Sequence, residues 1–275
     1  MIRPDQFRFF LDSGAFSAWS QGAKIDLDEY CAFIRANADG IHTYASLDTI
    51  PGQRRCAPTE EDKRRAVEST WGNYLYMKAE GLDPLPVYHY GEPSAALDRM
   101  LQYGCRHLGL GGLVGTSTEV RVRWLDRVFA KLGREAPGVQ VHGFGMTNVD
   151  LIFRYPWHSV DSTTWLRMAL NGIVLLPVQS AGRFIFTRYP KMVSPSNRTN
   201  PTSTIHLTRL SRQLIDSLQE WLAECGMTLE QVAGDSAARR VCNGLFFKRV
   251  SEVRAEESAM PARGPVRTTN LWEDL

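Results

Sequence analysis

Phe9-Phe10-Leu11-Asp12-Ser13-Gly14-Ala15-Phe16 is the stretch on which the reading of this chain turns. An apolar, aromatic run stops at an acid, a hydroxyl and a glycine. Short apolar runs bounded by glycine read as buried strands. The acid that closes the run then lies at the carboxyl edge of a sheet, where α/β proteins carry their ligands.

The same grammar recurs downstream. Ile41 to Leu47 ends in Asp48, before Thr49-Ile50-Pro51-Gly52. Leu85 to Gly91 carries His89 and Tyr90 at its end. Arg106 to Leu113 opens into a glycine loop, Val139 to Gly145 carries His142 and Gly143, and Trp157 to Ser162 closes on Asp161-Ser162. Helix-periodic segments alternate with these runs, over Asp26–Ala38, Pro58–Glu80, Pro93–Tyr103, Thr118–Leu132 and Asn148–Tyr155. Strand then helix, repeated, predicts parallel β/α units. Ligand-type residues on so many strand ends favour an α/β fold of (β/α)8 TIM-like barrel type, because a barrel aims every strand end at one point. No strand precedes Phe7, so the expected barrel is irregular or incompletely closed. It is assigned residues 1–190, with further strands at Ile173–Leu176 and Arg183–Thr187.

Residues 191–255 read as a C-terminal loop and helices packed on the barrel. Tyr189 to Thr204 is rich in Pro, Ser and Asn and reads as an exposed loop. His206 to Cys225 places Leu207, Leu210, Leu214, Leu218, Trp221 and Leu222 on one helical face, and Gly226 stops it. Thr228 to Val253 continues as helix with a break near Gly234. Residues 256–275 read as a flexible tail.

The bulk numbers narrow the classes. The chain has 275 residues with a formal net charge of +2, so no global field advertises a polyanion partner. No apolar run approaches the ~18 residues of a membrane span. The N-terminus lacks the apolar core of a signal peptide. Five cysteines, at 31, 56, 105, 225 and 242, are scattered without a C-x-C or C-x-x-C pair. They read as reduced thiols of a cytoplasmic protein without a zinc site or other cofactor.

Three acids carry the chemistry: Asp12, Asp48 and Asp161. A lone acid after a strand is an ordinary turn or helix cap. Carboxylates gathered in one pocket instead have their pKa values pushed apart by repulsion and burial. One can then act as nucleophile and another as proton carrier. Gly109-Leu110-Gly111-Gly112-Leu113-Val114-Gly115 is either a tight turn or a backbone wall that a flat ligand can approach. No Lys-Ser/Thr follows it, as a phosphate-binding P-loop requires. Phe16, Tyr90 and His142 are candidates for stacking on a planar base. Basic residues cluster at Arg54-Arg55, Lys63-Arg64-Arg65, Arg121/Arg123/Arg127, Arg239-Arg240 and Lys248-Arg249, as solvated helix faces or a polyanion track.

These residues resemble the motifs of the tRNA-guanine transglycosylases. Leu11-Asp12-Ser13-Gly14-Ala15-Phe16 is similar to that family's Asp-Ser-Gly-Gly-Phe/Tyr, and Leu47-Asp48-Thr49-Ile50-Pro51 to its Asp-Glu-Cys-Thr-Pro. Gly111-Gly112-Leu113-Val114-Gly115 resembles its Gly-Gly-Leu-Ala-Val-Gly loop. His142-Gly143-Phe144-Gly145 and Val160-Asp161-Ser162 resemble the archaeal Leu-Phe-Gly-Ala-Gly and Phe-Asp-Ser. The motifs keep the family order over about Phe7 to Trp165.

The resemblance implies a (β/α)8-type barrel that exchanges guanine for a 7-deazaguanine such as preQ0. Carried over residue by residue, Asp161 is the nucleophile and Asp12 the general acid/base. Asp48 accepts the base's N–H groups, the Gly112 amide holds its carbonyl, and Phe16 stacks on it. Ser13, Gly111, Leu113 and Gly143 complete the expected binding set. His89 stands where the family usually has Gln, and His142 where it often has Met. The family's Cys-x-Cys-x-x-Cys is absent, so no metal is expected, and its RNA-binding extensions are absent too. Compact relatives encoded by phages and modification islands act on DNA, so DNA is the expected partner, with tRNA as the alternative. A non-catalytic barrel that binds nucleic acid or a base, and an N-glycosidase in which water replaces the second base, remain open at this point.

Overall fold

The structure is a computed structural model that describes residues 9–52, 56–195 and 205–259. The chain is mixed α/β and forms two compact units. The first comprises residues 1–146 and 155–161, the second residues 147–154 and 162–275.

In the first unit β1 (Phe9–Leu11) leads into α1 (Ala15–Gln21). A short helix here was not expected from the sequence. Gly14 and Gly22 bracket it in the left-handed region, at φ 71° and 74°. α2 (Leu27–Ala36) starts where Asp26 accepts hydrogen bonds from the amides of Asp28 and Glu29. β2 (Ile41–Tyr44) precedes α3 (Glu60–Ala79), which opens with a reciprocal capping box between Thr59 and Asp62. β3 (Val87–His89), α4 (Ser94–Gln102), β4 (His107–Gly111), α5 (Thr118–Glu135), β5 (Gln140–Gly143) and β6 (Ser159–Val160) complete the unit. Every helix and strand expected in it is present. The strands are shorter than their apolar runs, because each run continues into the loop that leaves the sheet.

All strand pairings in this unit are parallel and follow chain order. β1 pairs with β2, and β3, β4, β5 and β6 form one sheet in sequence. A parallel bridge between Ala45 and Leu85 joins the two sets, with Ser46 N donating to Leu85 O at 2.8 Å and Leu85 N to Tyr44 O at 2.8 Å. The series is strongly curled. In a flat sheet β1 and β5 would lie about 19 Å apart, at four spacings of ~4.8 Å. Instead Phe10 of β1 stacks on His142 of β5 with ring centroids 4.2 Å apart and planes 11° from parallel. Phe144 meets Phe10 edge-on at 5.7 Å. Ala45, Leu85 and Val87 pack beside Phe10 and Phe144 in the same cluster. On the outer side, Tyr88 stacks on Trp124 of α5 at 5.6 Å, so helices cover the opposite face of the sheet.

The second unit contains α6 (Val149–Arg154), α7 (Thr164–Leu170), β7 (Val174–Leu176), β8 (Val178–Ser180), β9 (Arg183–Ile185), β10 (Lys191–Ser194), β11 (Ile205–His206), α8 (Arg212–Glu224), α9 (Leu229–Gly234) and α10 (Ser236–Ala259). Several expectations are corrected here. β10 lies inside the segment read as an exposed loop and pairs antiparallel with β7, so its buried Val193 and Ser194 are sheet, not surface. The helix expected from His206 begins at Arg212, where Ser211 accepts from Leu214 N, after a 3-10 turn over Leu207–Arg209. α10 runs to Ala259, beyond Glu256 where the tail was expected to begin; 260–275 lie outside the described residues. β8 and β9 form a hairpin whose two-residue turn, Ala181-Gly182, has φ 48° and 73°, as a primed turn requires. Asn243 fastens α10 to β7, with Nδ2 donating to Trp165 O and Ile173 O and Oδ1 accepting from Leu175 N.

Glycine placement in the curled sheet is testable. A Cβ on Gly109 would fall 2.5 Å from the Phe144 ring and 2.8 Å from Leu85 Cδ2. Gly109→Ala is expected to destabilise the fold by about 1–3 kcal/mol through overpacking. Gly133, exposed on α5, has nothing within 4 Å of its virtual Cβ. Gly133→Ala is expected to stabilise by about 0.5–1 kcal/mol. Urea denaturation of both variants checks the pair.

Candidate functional site

The exits of the six parallel strands define the site, which lies wholly within the first unit. Asp12 follows β1 directly, Asp48 lies in the loop after β2, and His89 and Gly111 are the last residues of β3 and β4. Gly145 lies in the turn after β5, and Asp161 follows β6. Side chains alternate along a strand. Asp12 therefore shares a face with Phe10, and Asp161 with Ser159.

Asp12 feels the other two acids. Burial raises the Asp12 carboxyl pKa most, the charges of Asp161 and then Asp48 raise it further, and the amides of Gly14 and Ser13 oppose the shift. Asp12 remains accessible to solvent in this crowded rim. Two of these acids also act on a neighbouring tyrosine. Tyr30, whose hydroxyl donates to Ala45 O at 2.9 Å, has its pKa raised first by burial and then by Asp12 and Asp48.

Each acid is held differently. Asp161 Oδ1 accepts from Gly145 N at 3.1 Å, and the Asp161 amide donates to Gly143 O at 3.2 Å. His142 Nε2 stands 3.4 Å from the same Oδ1 without forming a directed hydrogen bond. The other ring nitrogen of His142 is 2.8 Å from Ser159 Oγ. Asp48 Oδ2 lies 3.3 Å from His89 Nε2, while Asp48 Oδ1 is buried with no hydrogen-bond partner. Its loop is strapped to α3, with Thr49 N donating to Thr70 Oγ1 and Asn73 Nδ2 to Leu47 O.

The remaining expected residues divide into those at the rim and those beneath it. Phe16 is 59% exposed on α1, tilted against Trp19 at 5.9 Å, and Trp19 Nε1 donates to Gly52 O in the Asp48 loop. Gly112 is exposed with φ 75°, and Tyr90 is exposed beside it. By contrast Ser13 is buried, and its Oγ accepts from Ala15 N at the start of α1. Leu113 is buried, and its carbonyl accepts from the Thr116 hydroxyl. His142 is 2% exposed and already stacked on Phe10, so its ring is not open to a ligand's face. Gly143 is buried, and its missing Cβ makes room for Trp157, 2.9 Å from the virtual atom. The space in front of Gly111 is taken by His89 Cδ2, 3.0 Å from the virtual Cβ.

Glu92 was not anticipated. The chain turns tightly after β3, with Glu92 N donating to His89 O at 3.1 Å and Gly91 at φ 93°. Glu92 Oε1 then lies 3.0 Å from His89 Nδ1, and Oε2 accepts from His89 N at 3.2 Å. Burial works against a charged His89, yet Asp48 and Glu92 outweigh it and push its pKa up to about 10. An acid three residues after a strand-terminal histidine was the available signal.

The basic clusters are mostly committed. Lys63, Arg64 and Arg65 pair with Glu60, Glu61 and Asp62 on their own helix. Lys248 and Arg249 pair with Glu252. Arg239 is buried and donates to Ala169 O and Val232 O. Arg54 and Arg55 lie outside the described residues. Among the described residues, no group of three or more His, Cys, Asp or Glu is arranged to hold a metal, and no helix is long and apolar enough to cross a membrane. No family model and no curated protein matches the sequence.

Asp12 binds its proton more tightly in the folded state than in the unfolded one. Its contribution therefore favours folding at acid pH and is lost as pH rises from the ordinary value of 3.8 through the raised one. Asp12→Asn removes that repulsion and is expected to raise the Tm near pH 7. The gain should vanish on acidification below about pH 4, where the native carboxyl is itself neutral. Thermal melts of both proteins across pH check the sign.

Proposed function

We propose that this chain is a base-exchange glycosyltransferase of the guanine-transglycosylase type. In this reading it replaces guanine in DNA by a 7-deazaguanine such as preQ0, through a covalent glycosyl–aspartate intermediate. The observation that carries the reading is the placement of Asp12, Asp48 and Asp161 at the exits of β1, β2 and β6 in one unit, near enough that the charges of Asp161 and Asp48 both act on Asp12. The fold is consistent with it. Open doubly wound sheets reverse strand order at a switch point, whereas six parallel strands here run in chain order and curl until β1 meets β5. That favours the TIM-like barrel architecture over an open sheet.

The chemistry assigns each acid a separate task. Asp161 has one oxygen oriented by the Gly145 amide, and its carboxylate attacks the anomeric carbon of the nucleotide. The C1′–N9 bond breaks as the raised carboxyl of Asp12 delivers a proton to the departing guanine. The ionised Asp12 then takes the N9 proton of the incoming base. That nitrogen attacks C1′ and expels Asp161, which restores both acids. Asp48 Oδ1, buried and unpartnered, accepts an N–H of the base, and exposed Phe16 offers a ring for stacking. A base within a duplex must first be flipped out. The scattered cysteines lack the zinc cluster of the tRNA-acting family, and DNA is therefore the proposed acceptor.

Labelled guanine supplied with DNA and with tRNA, side by side, tests the proposal. Label is expected in DNA, and nucleosides from DNA incubated with preQ0 should contain the deazapurine. Asp161→Asn should reduce exchange by at least about a thousandfold and abolish a denaturant-stable protein–DNA adduct. Asp12→Asn should reduce it by about 10²–10⁴-fold. Label in tRNA alone transfers the assignment to tRNA. Label in neither overturns the reading.

A further inference from the structure

His89, Glu92 and Asp48 form a cluster that the exchange chemistry above does not use in full. Its geometry is specific. Both ring nitrogens of His89 face carboxylates, Nδ1 at 3.0 Å from Glu92 Oε1 and Nε2 at 3.3 Å from Asp48 Oδ2. The second oxygen of Glu92 accepts from the backbone amide of the same histidine. Gly111 gives the ring its place, since a Cβ there would stand 3.0 Å from Cδ2. These contacts leave Asp48 with one engaged oxygen and one buried oxygen without a partner.

We propose that Glu92 is a positioning residue that acts through His89. It locks the imidazole against Asp48, so that Asp48 Oδ1 stays aimed at an N–H donor edge of the incoming base. The proposal rests on the base-exchange reading and extends it to a residue that does not touch the base. The ligand class it selects is a planar heterocycle with a lactam or amidine N–H, because a carboxylate oxygen accepts and cannot donate.

Among the described residues, the charged groups that face His89 are Asp48, from the loop after β2, and Glu92, from the turn after β3; Gly111 on β4 adds none. The Asp48 charge also helps raise the Asp12 pKa. With both carboxylates present the imidazole keeps its proton up to about pH 10. Removing the Glu92 charge lowers that pKa. His89 then loses its proton at lower pH, and Asp48 loses its cationic partner as pH rises.

The test uses the full chain and guanine as the probe. Wild-type protein should show a pH-independent guanine Kd from about pH 6 to 8.5, below the ordinary titration of the probe and of lysine-type groups. Glu92→Gln should bind guanine about tenfold more weakly at the upper end of that range, the usual cost of losing an orienting partner. NMR should show His89 titrating at lower pH in that variant. His89→Gln supplies a neutral N–H to Asp48 that needs no Glu92. In that background Glu92→Gln should have no further effect, and an equal effect in both backgrounds overturns the proposal. Unchanged guanine affinity together with unchanged His89 titration in Glu92→Gln also overturns it, while wild-type exchange leaves the functional reading standing. Failure of wild-type protein to exchange or bind guanine overturns that reading and the ligand assignment with it.

Discussion

The stack of Phe10 on His142 holds the first unit in its curled form. Two flat rings from strands four places apart in the series meet at 4.2 Å, and that contact brings the far ends of the ribbon round to each other. Ser159 Oγ is 2.8 Å from the same histidine. The contact therefore ties β1, β5 and β6 at one level of the interior. Two residues further along, on the same faces, stand Asp12 and Asp161. Their mutual electrostatic influence follows from the packing below them. An apolar contact sets the geometry, and the acids inherit it.

Crowding acids in this way is unfavourable, and the surroundings offset it only in part. His89, held cationic between Asp48 and Glu92, neutralises one of the two carboxylates it touches. Asp161 receives one backbone amide. Asp12 receives help from two amides, yet burial and its acidic neighbours still prevail. The surroundings therefore disfavour the Asp12 anion. A fold optimised for stability alone would place an amide there. Local conflict of this kind marks a candidate functional site.

Much of this was legible in the sequence, and the reasons are physical. β3 and β4 are largely buried and stand out as short runs of mainly apolar and glycine residues, and the other strands of the series were legible from the apolar segments that surround them. Asp26 and Thr59 mark helix starts with side-chain caps. α1 escaped notice because its seven residues hold too few turns to show a period. β10 escaped because its four residues sit beside a Pro-, Ser- and Asn-rich stretch, and its burial comes from its place between β7 and β11 in their sheet. At the site, strand-end acids could be read singly, but their orientation could not. His142 was read as a ligand-facing ring and lies beneath the rim. Glu92 carried no motif, because its importance arises only when the turn at Gly91 folds it back onto His89.

The glycine loop shows how the same residues admit two physical explanations until neighbours are known. Glycines at the end of β4 leave open space, and open space invites a ligand. Here the vacancy over Gly109 is filled by Phe144 and Leu85, and that over Gly111 by His89. β4 is the thin strand of the series, and bulky residues of β3 and of the segments flanking β3 and β5 fill the space over its glycines. The missing side chains thus make room for the imidazole that contacts Asp48 and for the aromatic ring that packs against Phe10 and His142. Past the strand, Gly112 and Gly115 are exposed and in a left-handed conformation, Gly112 close against the Tyr90 backbone and Gly115 with open space around it. The glycine run therefore divides its labour along the chain, first packing the interior, then shaping the pocket edge.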